Sequence, residues 1–325
     1  MNAYIEKIEE LVLRAINRVV YGGKPKPKGI QQLSGAALND AIYNGLIGKE
    51  PFMAARYGYN ELQATLYPYI CELPIIQRYK LYVQKRITFL HPAIRLAQKY
   101  MNPLCNNAGF FPNDIKYLSA YSEQVRLIDT PLCDCCGFHW GKEDLLSPFF
   151  SNKMCIGDLA DMEPYDYAQP WSRALAGKKV LVVHPFADTI EKQYLKREQL
   201  WENKNVLPEF ELKTIKAVQS IAGEEVPFKD WFEALQHMEE QMNAIDYDIA
   251  IIGCGAYGFS LAAHAKRMGK KAIHLGGATQ ILFGIKGKRW DELPAVNEFY
   301  NEYWVYPSAD DTPKHKERVE GGCYW

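Results

Sequence analysis

From residue 177 onward, apolar runs of strand length alternate with amphipathic segments of helical period. The pattern predicts strands over 179–183, 211–217, 247–252 and 271–275, separated by helices over 189–203, 229–244, 257–268 and 278–284. Strands and helices alternating at these lengths imply right-handed crossovers and a doubly wound, mainly parallel α/β sheet of Rossmann-like type. Such sheets bind ligands beyond the carboxyl ends of their strands. The four predicted ends carry His184-Pro185-Phe186, Gln219-Ser220, Gly253-Cys254-Gly255 and His274-Leu275-Gly276-Gly277, so these loops are expected to share one mouth.

The first half is less regular. Ile5, Ile8, Leu11, Val12, Ile16 and Val19 fall near one face of an amphipathic helix over 4–20, and the Gly/Pro-broken stretch 22–29 detaches it as an arm. A helix over 35–45 and a buried strand over 51–56 follow, and a turn leads into a helix near Leu62 with Asn60 as its N-cap. Between 71 and 165, helical pieces over 75–89, 93–101 and 112–120 mix with loops and read as a helical insertion that shapes the substrate region. The expected organisation is an arm and linker over 1–29, a strand-turn-helix unit with a helical layer over 30–176, and a βα region with its tail over 177–325. The last two are expected to pack as one domain. The charged, aromatic stretch 308–325 is expected to be a surface arm rather than a cover for the mouth.

Composition narrows the partners. A chain of 325 residues, 48% hydrophobic and 24% charged, is long enough for a substantial core. Its formal net charge of -1 gives no global attraction to nucleic acid, which leaves small ligands as the expected partners. Eight irregularly spaced cysteines suit a reducing compartment, residues 1–20 lack the layout of a secretory signal, and no apolar run is long enough to span a bilayer. The expected location is the cytoplasm; homo-oligomerisation stays open.

The most specific motif is Gly253-Cys254-Gly255-Ala256-Tyr257-Gly258, a G-x-G-x-x-G between a predicted strand and a predicted helix. Glycines there let the backbone approach a phosphate, and free N–H groups at a helix start attract anions. Glycines needed only for tight packing are the alternative. The next strand ends in His274 with no carboxylate to hold a ribose, which disfavours a plain NAD dehydrogenase. Cys133, Cys135, Cys136 and His139 are close in sequence but lack the paired spacing of structural zinc sites, so buried thiols are the favoured reading.

Two segments carry a family resemblance. Phe52-Met53-Ala54-Ala55-Arg56-Tyr57-Gly58-Tyr59-Asn60-Glu61-Leu62 resembles the Arg-Phe-Gly-Asp-Gly-Glu signature of the GT-D fold glycosyltransferases, and 251–277 resembles that family's late strand-Gly-helix-strand unit. The resemblance implies a nucleoside diphosphate sugar donor, transfer of the sugar to a glycan or other hydroxyl acceptor, a role in surface polysaccharide biosynthesis, and a divalent metal (Mn or Mg) held by an Asp-x-Glu pair. Tyr59 stands where the family has the Asp, leaving Glu61 as the matching carboxylate. Asp158, Asp161 and Glu163 offer replacement oxygen ligands, so the expected metal set is Glu61, Asp161 and Glu163, with a solvated acidic loop as the alternative.

A leaving nucleoside diphosphate needs positive charge and backbone donors around it. The expected binding residues are Arg56, Gly58, Gly253, Gly255, Tyr257, Gly258, His274, Gly276, Gly277, Gln280 and Arg289, with Lys286 and Lys288 nearby. Glu61, His184 and Asp188 are the candidates for the base that deprotonates an acceptor hydroxyl. Two other readings stay open: a non-catalytic nucleotide or sugar-nucleotide binding protein, and an S-adenosylmethionine-dependent methyltransferase.

Overall fold

Side-chain alternation along the buried strands builds this protein outward on both sides of one sheet. The computed structural model describes residues 30–325, so the expected helix over 4–20 and its linker lie outside the described residues. Among the described residues there are eight strands: β1 (Gln31–Gln32), β2 (Phe52–Arg56), β3 (Cys135–Phe138), β4 (Cys155–Asp158), β5 (Lys179–His184), β6 (Glu211–Lys216), β7 (Ile249–Ile252) and β8 (Lys271–His274). They form one sheet in the order β1-β4-β3-β2-β8-β7-β5-β6, with every pairing parallel.

Odd and even strand positions feed two cores. Met53, Ala55, Leu181, Val183, Ala250 and Ile252 face the helices Tyr59–Glu72, Ile94–Ala108, Trp231–Ala244 and Gly258–Arg267. Phe52, Ala54, Val180, Val182, Ile249 and Ile251 face the helices Ala36–Ile47, Ala187–Tyr194 and Ala278–Leu282. Strands buried on both faces are continuous apolar runs, which is why β5 and β7 are plain in the sequence. β6 is an edge strand with alternating exposure, and its lysines and glutamate keep that edge soluble.

Several boundaries differ from expectation. The helix after β2 begins at Tyr59 with Gly58 at its cap, and Asn60 lies inside its first turn. The expected helix over 189–203 is two short pieces, Ala187–Tyr194 and Arg197–Leu200. In the middle of the chain, two stretches expected as loops supply β3 and β4. Those strands are only four residues each, and Gly137 and Gly157 interrupt their apolar pattern. Both positions are tight: a Cβ on Gly137 would lie 2.4 Å from the Met162 sulfur, and one on Gly157 would lie 2.7 Å from Leu38, so these neighbours would have to shift. The stretch 308–325 is not a surface arm. Asp311 is buried and fixes it to the body, and Trp325 packs on Phe186 with its indole N–H donating to the Asp311 carbonyl at 3.0 Å.

The layers also decide where a crevice opens. The connection after β5 runs to one face and that after β7 to the other; neighbouring β8 and β2 diverge in the same way. Parting loops leave a gap above the strand ends, as at the switch points of doubly wound sheets. Among the described residues, no helix is long and apolar enough to cross a membrane.

Candidate functional site

A cavity of about 630 Å³ occupies that gap, within the size range of small-molecule sites. Of the residues expected from sequence, Arg56, Gly58, Glu61, Glu163, His184, Gly253, Gly255, His274, Gly276, Gly277, Gln280 and Arg289 line it. Asp161, Asp188, Tyr257 and Gly258 do not. Asp161 instead accepts the Gly35 N–H at 2.7 Å and the Tyr167 hydroxyl at 3.2 Å. Asp188 is half exposed and paired with Lys216 at 2.7 Å. Tyr257 stacks on Trp231 in the core with its ring centroid 5.2 Å away.

The centre is built by the β2 turn. Arg56 ends the strand and enters the cavity, and its buried Nε has no hydrogen-bond partner. An unmet buried donor on a cation is costly unless a ligand completes it. Glu61, in the first turn of the following helix, folds back so closely that a Cβ on Gly58 would lie 2.1 Å from its carboxylate. A side chain at Gly58 would displace the Glu61 carboxylate from this position. Burial raises the Glu61 carboxyl above its ordinary value, a shift that the Arg56 charge and its own backbone N–H only partly offset. Glu163 is raised by burial too, although the Tyr165 hydroxyl donates to it and Arg56 lies near.

The glycine turns have their own steric causes. Gly255 has a φ of 54°, and a Cβ there would lie 2.4 Å from the Ala108 carbonyl at the end of the helix Ile94–Ala108. On Gly258 a Cβ would meet the His274 ring at 2.1 Å, so that glycine lets the helix Gly258–Arg267 pack against β8. The packing reading therefore accounts for both, and the unmet Arg56 donor is the sharper pointer to an anionic ligand.

Of the histidines that line the cavity, His184 and His274 are held neutral by burial. Burial pushes His184 down to about 3; its Nδ1 accepts the Phe186 N–H at 3.0 Å, which leaves Nε2 as a donor. Burial and the Arg56 charge lower His274 to about 3 as well. The His184 imidazole, protonated at Nε2, is a hydrogen-bond donor and not a base, whereas His274 donates its Nδ1–H to the Ile252 carbonyl at 3.1 Å.

Other parts of the wall gave little sequence signal. Glu143 accepts the N–H groups of His139, Trp140 and Lys142 at 2.7, 2.7 and 2.9 Å, which holds the loop after β3 so that Trp140 meets the cavity beside Tyr59. Gln280 donates to the Lys286 and Tyr324 carbonyls, at 2.6 and 2.9 Å, and so pins Tyr324 and its neighbours Glu320 and Trp325 over the opposite wall. The aromatic content of 321–325 was a visible signal, but nothing local shows where such a stretch docks.

Fit to a divalent ion is poor. Glu61 and Glu163 are the two expected ligands in the cavity; a guanidinium neighbours both, and their raised carboxyls resist ionisation. Among the described residues no group of three or more His, Cys, Asp or Glu side chains is placed to hold a metal. The thiols of Cys135 and Cys155 meet each other across paired strands at 2.8 Å, and Cys133 bonds the Cys135 carbonyl, so the cysteine cluster is core.

Residues 166–282 match the family model described as a GT-D fold-like domain. That segment is GT-D-like. The GT-D-like segment holds β5 to β8 and the turns at 253–258 and 276–277, while Arg56 and Glu61 lie outside it. Two solved structures are similar over most of their length. One is described as a selenomethionine-substituted structure of domain of unknown function 1792, with 12% identity, coverage of 83% of this chain and 82% of that chain, and a TM-score of 0.36. The other is described as the highly conserved domain of unknown function 1792 with a distinct glycosyltransferase fold, with 11% identity, coverage of 93% and 96%, and a TM-score of 0.40. No curated protein sequence matches the chain.

Proposed function

We propose that this protein is a glycosyltransferase that takes a nucleoside diphosphate sugar and passes the sugar to a hydroxyl acceptor. The observation that carries the reading is Arg56: a cation with a buried, unpartnered Nε at the carboxyl end of a central parallel strand, facing a cavity of ligand size. The GT-D-like match over 166–282 supports the same class.

In this reading Arg56 and the turns at 253–255 and 276–277 receive the diphosphate. Charge that builds on the leaving phosphate is met by the guanidinium without reorganisation. His184 offers its Nε2–H as a neutral donor. Glu61, when ionised, takes the proton of the acceptor hydroxyl, and its raised carboxyl brings it nearer the operating range of a base. Trp140 and Tyr59 give an apolar platform on which a sugar ring stacks. Among the described residues the carboxylates do not make a divalent-ion site, and no step is drawn through a metal.

The test is a thermal-shift panel of nucleoside mono- and diphosphates, NAD and S-adenosylmethionine, each with manganese and with EDTA. Stabilisation by one nucleoside diphosphate, equal in EDTA, is the expected result. Stabilisation only by S-adenosylmethionine or NAD overturns the reading. A nucleotide that binds but is never turned over with any sugar attached favours a binding protein.

A further inference from the structure

The mouth holds one charge pair that the diphosphate cradle and the base do not account for. Arg289 lines the cavity and is ion-paired with Glu320. Its guanidinium is well fixed: it lies 4.7 Å from the Tyr324 ring centroid and donates to the Tyr324 hydroxyl at 3.2 Å. Its own backbone N–H donates to the Cys323 carbonyl at 2.9 Å. Glu320 is held far less firmly. Its side chain is 43% exposed, and its other contacts are the Asn107 amide at 3.4 Å on the facing lip and the Cys323 thiol at 3.6 Å. Glu320, Gly321 and Gly322 have φ values of 50°, 73° and 81°, a left-handed run that sets the loop shape independently of the carboxylate.

We propose that Arg289 is a second phosphate-binding cation and that Glu320 is its stand-in anion, holding the guanidinium until the phosphates of a nucleoside diphosphate replace it. The inference rests on the nucleoside diphosphate reading of the cavity. Carboxylate and phosphate offer a guanidinium the same paired acceptor oxygens, and phosphate carries more charge. A half-exposed ion pair adds little stability, so the exchange is easy. Only the Glu320 side chain has to swing, since Tyr324 and Cys323 stay tied to Gln280 and Arg289. The swing also moves a negative charge away from Glu61, whose carboxyl Glu320 helps to raise.

Inorganic pyrophosphate, titrated calorimetrically into the full chain in EDTA, is the probe. Glu320→Gln is nearly isosteric at an exposed position, so folding is not at stake. It is expected to bind pyrophosphate about fivefold tighter than wild type, the most that release of an exposed ion pair gives. In an Arg289→Gln background the same change is expected to have no effect. Equal affinity of wild type and Glu320→Gln overturns the stand-in role, and so does a gain that persists without Arg289, which is general repulsion. In either case, loss of binding in Arg56→Gln leaves the diphosphate reading standing. Pyrophosphate that binds neither wild type nor Glu320→Gln overturns both.

Discussion

At Glu61, the burial that raises the carboxyl also costs the fold. Its carboxyl is raised, so the folded chain keeps a proton that the unfolded chain has already lost. Stability from this group therefore falls as pH rises from the ordinary carboxylate value to the raised one. Glu61→Gln removes that cost. A melting temperature at neutral pH equal to or above wild type is expected, with turnover down roughly 10²- to 10⁴-fold; full turnover in the variant would remove Glu61 from the chemistry. The pH profile of wild-type turnover should show an acid limb above the usual carboxylate range. No limb from His184 is expected between about pH 5 and 8, because burial pushes it down to about 3. Arg56→Gln should weaken nucleoside diphosphate binding by about 1.5–3 kcal/mol, roughly ten- to a hundredfold, as read by calorimetry. Arg56 and Glu61 were legible because they flank the turn between a strand-like apolar run and a helix. The fold-back of Glu61 onto Gly58 was not, since it depends on a rotamer set by packing.

At the scale of elements, the G-x-G-x-x-G turn is held by its neighbours. Gly255→Ala would place a methyl against the Ala108 carbonyl at a positive φ, and a loss of about 2–4 kcal/mol in urea unfolding is expected. Weaker ligand binding with unchanged stability would instead return the position to ligand contact. The strands β5, β7 and β8 and the helix after β7 were plain, since strands buried on both faces carry unbroken apolar runs. β3 and β4 escaped notice because each is four residues long with a glycine inside it. Their identity comes from pairing with β2 and with each other, which no local pattern records.

For the whole molecule, the stretch 308–325 is the main surprise. Asp311 accepts from the Thr189 N–H and hydroxyl at 3.2 and 2.5 Å, from Lys216 at 2.9 Å and from Ser308 at 3.1 Å. Burial alone would raise its carboxyl, but these partners outweigh burial and hold it below the usual range. Its contribution is present at neutral pH and is lost as pH falls through that lowered value. Asp311→Ala is expected to cost about 2–3 kcal/mol, most of it from the Thr189 bonds because Lys216 is half exposed. Limited proteolysis should then cut within 308–325 faster than in wild type; an unchanged cleavage pattern would show that Trp325 and Tyr324 hold the stretch unaided.

The amino-acid sequence by itself determined the α/β alternation, the parallel sheet, the strand ends at which the cavity opens and a dozen of the residues that line it. Hydrophobic period and strand-end position are local quantities, and a chain records them directly. Only the tertiary structure decided that Asp161 and Asp188 are spent on Gly35, Tyr167 and Lys216, that His184 is a neutral donor, and that Glu320 closes on Arg289. Those outcomes depend on which loops diverge at the crevice and on how deeply each charge is buried, and both arise from contacts between residues far apart in the chain.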